Sequence, residues 1–143
     1  MKYVSFYRPD SKEISLGRLD SENVVELVSS EGKGVDLKTA LSMDVLNTLV
    51  DGEPYKLEEI QLLPVVPNPG KILCVGLNYD SHRKEAGREE KEHPAIFTRY
   101  ADTLIAHGDP IIRPRVSTKL DYEGELALVI GKPGRNIPEE DAL

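Results

Sequence analysis

The sequence predicts an α+β, β-rich chain made of a small N-terminal α+β module and a second, strand-rich portion. Three observations predict this. Short β-branched and aromatic runs separated by polar turns fill residues 1–66. Pro64, Pro67, Pro69 and Gly70 then fall within seven residues; proline fixes φ and removes a donor, so this stretch is a stiff connector. Beyond it, further apolar runs are cut by charged loops. The expected organisation is 1–66 as the N-terminal domain, 67–70 as linker and 71–143 as the start of a second domain.

Taken in order, Tyr3 to Tyr7 reads as a strand stopped by Pro9-Asp10. Glu13 to Leu19 and Val24 to Val28 read as two more, and 29–34 as a loop. Val35 to Leu41 is weakly helical. Ser42 has the chemistry of an N-cap, and Met43, Leu46, Leu49 and Val50 follow at helical spacing until Gly52, which predicts a second helix there. Ile60 to Val66 returns to strand character. Lys71 to Val75 reads as a buried strand ending at a change of direction, Gly76 to Tyr79. Asp80 or Ser81 can cap a short helix that Gly87 would stop. Pro94 to Arg99 is another strand, 107–110 a turn, and Ile137 to Ala142 a helix start with proline at its first position.

Glu123 and Glu125 are the most informative pair. They open the run Leu120-Asp121-Tyr122-Glu123-Gly124-Glu125-Leu126-Ala127-Leu128-Val129-Ile130-Gly131, whose apolar end predicts a buried strand. Residues two apart on a strand share a face, roughly 6.6 Å apart. Two carboxylates entering a core side by side are costly without a positive partner. A hard cation such as Mg²⁺, which takes carboxylate oxygens at about 2.0–2.1 Å, neutralises them well. The plainer alternative is a solvated strand face.

His82 and Glu85 stand three apart, neighbours on one face of a helix. A carboxylate beside an imidazole orients it and raises its basicity, which suits a general base; the alternative is a surface pair. The stretch from Asp80 to His93 is charged and has no apolar face. It reads as a mobile loop or a lid, since a lid needs low local stability. Arg99 can grip a carboxylate bidentately, or be an ordinary surface arginine.

The formal net charge is −7, which argues against a nucleic-acid partner. No apolar run reaches the roughly 18 residues of a membrane span, and the N-terminus lacks a signal-peptide apolar core. The one cysteine, Cys74, cannot form an internal disulfide. A cytoplasmic setting is expected. The chain stops at Leu143 in the first turn of an expected helix, which suggests a piece of a longer protein.

Together, Lys71 through Tyr79 with His82 and Glu85, Pro94 through Phe97, Ile111 through Pro114, Leu120 through Leu126, and Val129 through Lys132 resemble the fumarylacetoacetate hydrolase family. Residues 1–66 resemble the N-terminal domain of many bacterial members. The resemblance implies a rolled, mixed β-sheet with peripheral helices in the second domain, and a homodimer. It implies Mg²⁺ or Mn²⁺ held by three carboxylates, of which two map onto Glu123 and Glu125. The third, an aspartate on a later strand, and a downstream lysine have no counterpart in this sequence. The family's lid His and Glu map onto His82 and Glu85, with Tyr79 and Arg99 as substrate-binding candidates. The implied chemistry is metal-dependent hydrolysis of a C–C bond in a β-dicarbonyl acid, a small oxo-acid of the acylpyruvate type. Relatives that decarboxylate oxaloacetate or isomerise hydroxymuconate derivatives share the same metal site. With the third carboxylate missing, the 143 residues alone are expected to be inactive, or to pair with a chain that supplies the missing half.

Overall fold

The computed structural model describes residues 1–142. Its first part is a five-stranded antiparallel sheet: β1 (Tyr3–Tyr7), β2 (Ile14–Asp20), β3 (Asn23–Val28), β4 (Val50–Lys56) and β5 (Gln61–Leu63). The strand order is β4-β3-β2-β1-β5. Register is set by pairs such as Phe6↔Ser15, Leu16↔Leu27 and Val24↔Tyr55. Because side chains alternate faces, one residue of slip would exchange the two faces completely. One face carries Leu16 and Leu27, covered by Leu37 and Ala40 of α1 (Leu37–Ser42). The other carries Phe6 and Val24, with the Tyr55 ring 5.5 Å from Phe6.

This second face also buries charge. Glu26 accepts hydrogen bonds from the Arg8 Nε at 2.6 Å and from the Ser15 hydroxyl. Burying a carboxylate is tolerable when it is both paired and hydrogen-bonded, as here. Ser5, also buried, donates to the Val65 carbonyl at 2.7 Å and so ties β1 to the segment leading into the proline-rich stretch. Among the described residues no buried side-chain polar atom lacks a partner.

Two expectations fail here. No helix begins at Ser42. The cap lies one element earlier, where the Asp36 carboxylate accepts from the Thr39 amide at 2.9 Å, and Ser42 instead donates back to the Thr39 carbonyl at 3.0 Å. The chain then turns at Asp44, whose φ of 54° no helix accepts. Only a short 3-10 turn, Leu46–Thr48, follows, so the helical spacing of apolar residues reflects packing of Leu46 and Leu49 on the core. Val50 to Gly52, expected to end that helix, instead opens strand β4 (Val50–Lys56). Its Gly52 and Pro54 weaken the strand signal, and an edge strand is where proline is tolerated.

In the second part, β6 (Ile72–Gly76) pairs antiparallel with β7 (Ala95–Arg99), with Cys74 opposite Phe97. Between them lies α2 (Asp80–Glu85), reached through Leu77 at φ 53° and closed by Gly87 at φ 62°. The expected caps Asp80 and Ser81 are the first two residues of that helix; Tyr79 holds the cap position without a side-chain bond. The expected helix at the end is a single 3-10 turn, Glu139–Asp141, with Pro138 before it; Leu143 lies outside the described residues.

The expected buried strand at Leu120–Gly131 does not form. The segment has no ladder partner among the described residues, and Leu126, Leu128 and Ile130 are each at least 73% exposed. A strand is completed by a neighbour's backbone, and β6 and β7 pair only with each other. Among the described residues no helix is long and apolar enough to cross a membrane.

Candidate functional site

A cleft of about 510 Å³ lies between α2 and the segment around Glu123. Tyr79, Ser81, His82 and Glu85 line one side; Asp121, Tyr122, Glu123 and Glu125 line the other. Residues about forty positions apart thus meet, and the meeting is specific. The His82 Nε2 stands 3.5 Å from a Glu123 carboxylate oxygen. The Leu126 amide donates to the Tyr79 hydroxyl at 3.3 Å and so ties the segment after Glu125 to the start of α2.

Local sequence explains the α2 wall. Asp80 in the first turn and Lys84 one turn later form an ion pair at 2.6 Å, and Arg83 also bonds Asp80. These cations, Lys84 foremost, hold the Asp80 carboxyl below the usual carboxylate range. Arg83 and Lys84 sit in the last turn, where positive charge complements the helix dipole. The His82–Glu123 contact is half-exposed, so its value is geometric more than energetic.

Of the expected site residues, His82, Glu85, Glu123, Glu125 and Tyr79 share this cleft. Glu85 lines the same wall as His82, but the carboxylate recorded against the imidazole is that of Glu123. Tyr79 spends its hydroxyl on the Leu126 backbone. Arg99 ends β7 opposite Ile72 and does not line the cleft. Ser81, Asp121 and Tyr122 also line the cleft, and their adjacency to His82 and Glu123 is the sequence signal that marks them. Both Glu123 and Glu125 are oxygen donors at one cleft, a donor set that suits a hard divalent cation. Among the described residues no three-member group of His, Cys, Asp or Glu is arranged to hold a metal.

Comparison with known proteins places these features in a wider set. A family model described as "Fumarylacetoacetate (FAA) hydrolase C-terminal" matches residues 71–143. A mitochondrial oxaloacetate tautomerase (fahd2) of Xenopus laevis is 34% identical over 153 residues, covering 100% of this chain and 48% of that protein. The oxaloacetate tautomerase YisK of Bacillus subtilis is 34% identical over 151 residues, covering 87% of this chain and 50% of its own. A solved structure from Mycobacterium abscessus superposes with a TM-score of 0.53 at 22% identity, over 82% of this chain and 40% of that one, a likeness of fold. The chain spans about half the length of the curated relatives it matches.

Proposed function

This chain belongs to the fumarylacetoacetate hydrolase family, and from that premise we propose that it carries the base and two metal-binding carboxylates of an enzyme acting on β-dicarbonyl acids. The observation that carries the reading is the His82 imidazole facing Glu123 across a cleft that Glu85 and Glu125 also line. Neutral His82 takes a proton from the carbon between two carbonyl groups and returns it to carbon or oxygen. Glu85 lines the same wall of the cleft as His82. A Mg²⁺ or Mn²⁺ held by Glu123 and Glu125 would supply Lewis-acid polarisation of a substrate oxygen. With Glu123 and Glu125 as its protein ligands, waters or substrate oxygens would complete its shell.

Proton transfer alone gives keto–enol tautomerisation, which the names of the Xenopus and Bacillus relatives favour. The second reading is hydrolysis of a C–C bond, in which His82 activates a water; the description of the matching family favours it. The isolated 143 residues are expected to catalyse neither reaction, because among the described residues no three His, Cys, Asp or Glu side chains are arranged to hold a metal. The test is a chimera joining residues 1–143 to the second half of the Bacillus relative. It should accelerate oxaloacetate enol–keto equilibration, and His82→Gln should slow it by about 10²–10⁴-fold. A folded chimera no faster than buffer, or indifferent to His82→Gln, sinks the reading. Cleavage of an acylpyruvate without tautomerisation would favour the second.

A further inference from the structure

The helix that carries His82 and Glu85 is six residues long and buries no side chain. A helix of that length does not hold by itself in water, because nucleation costs more than a few bonds return. Apolar packing does not hold it either, and Tyr79 gives its N-terminus no side-chain cap. One side chain reaches both ends. The Arg83 guanidinium bonds the Asp80 carboxylate in the first turn and donates through its other nitrogen to the Arg88 carbonyl, beyond the C-terminus, at 2.9 Å.

The backbone closes around the same residue. The Gly87 amide donates to the Lys84 carbonyl and the Arg88 amide to the Arg83 carbonyl, each at 3.0 Å, with Gly87 at φ 62°. That pair of bonds is the Schellman closure of a helix. Lys84 also meets Asp80, but its side chain is 69% exposed, against 21% for Arg83.

We propose that Arg83 is a positioning residue, an ionic staple that keeps α2 folded so that His82 faces the Glu123 carboxylate across the cleft. Its role toward catalysis rests on the reading of His82 as the base. The planar fork is required, because two donors must point in two directions at once; a lysine at this position serves one end only.

The test uses the 143-residue chain with Arg83→Ala and Arg83→Lys, and two readouts. The first is amide exchange at Ala86, Gly87 and Arg88. Arg83→Ala should speed it by about three- to tenfold, the range of one or two lost hydrogen bonds, with exchange in β1–β3 unchanged. Arg83→Lys should restore part of the protection. The second is broadening of the His82 ring signals by added Mn²⁺. Arg83→Ala should weaken that broadening while leaving Mn²⁺ affinity, set by Glu123 and Glu125, as in the parent chain. Unchanged exchange in Arg83→Ala overturns the staple. So does full rescue by Arg83→Lys, or a loss of Mn²⁺ affinity equal to the loss of broadening. If Mn²⁺ never broadens His82 in the parent chain, the metal reading fails instead, and amide exchange alone decides the staple.

Discussion

The five-stranded sheet and the cleft-bearing second part are built from similar apolar runs, yet only the first closes a core. Phe6, Leu16, Val24, Leu27, Val28, Leu37 and Ala40 are all buried in residues 1–66, whereas Ala106 is the one buried apolar residue described beyond them. The difference is whether a partner strand is at hand. In the first part β1, β2 and β3 meet across short turns, while β4 and β5 close onto β3 and β1 over longer connections, so every strand finds a neighbour within residues 1–66. In the second, β6 and β7 find each other, but the longest apolar run stays unpaired. Strength of local pattern therefore does not decide burial; availability of a partner does.

The sharpest way to break this contrast is at the core of the first part. Phe6→Ala removes a fully buried ring that touches Tyr55 and should destabilise the sheet by about 3–5 kcal/mol. Amide exchange across residues 100–130 should stay as it was. Denaturant unfolding followed by far-UV circular dichroism reads the loss, and a change under about 1 kcal/mol would mean that the core is not where the packing puts it.

A smaller effect is expected at Gly17, on the same face. A Cβ there would lie 2.3 Å from a Val24 methyl and 3.2 Å from the Val25 carbonyl oxygen. Gly17→Ala should thus cost about 1–3 kcal/mol through overpacking. A neutral result in the same unfolding assay would show that β2 and β3 separate more freely than their register implies.

Leu128→Lys is the counterpart in the second part. At 73% exposed, Leu128 has little burial to lose, and its replacement should move stability by no more than about 0.5 kcal/mol. A large loss would reveal that the unpaired run packs after all, and the contrast between the two parts would dissolve.

The smallest effect is local and set by acid. Asp80 has its folded pKa depressed by Lys84 and Arg83. A depressed carboxyl contributes stability that is present above its unfolded value, about 3.9, and lost as pH falls through the folded value. The helical chemical shifts of Ser81 to Glu85 should therefore persist from pH 7 to about 4 and fade only below it. Fading that is complete by pH 5 would hand control of α2 to another group.

What the sequence determined by itself was the set of local elements and the chemistry they carry. Tyr3–Tyr7, Asn23–Val28, Ile72–Gly76 and Ala95–Arg99 follow from β-branched runs and turn residues, and α2 with its Gly87 stop follows from spacing and a residue that accepts positive φ. Strand spacing singled out Glu123 with Glu125 and helix spacing singled out His82 with Glu85; only the helix forms, and all four residues line one cleft. Tertiary structure alone decided which of these meet. It set Glu123 against His82, spent the Tyr79 hydroxyl on the Leu126 amide, left Arg99 out of the cleft and made Val50–Lys56 an edge strand. It also left Leu120–Gly131 unpaired. Each of these turns on a partner far away in the chain, and no window of sequence contains both halves of such a contact.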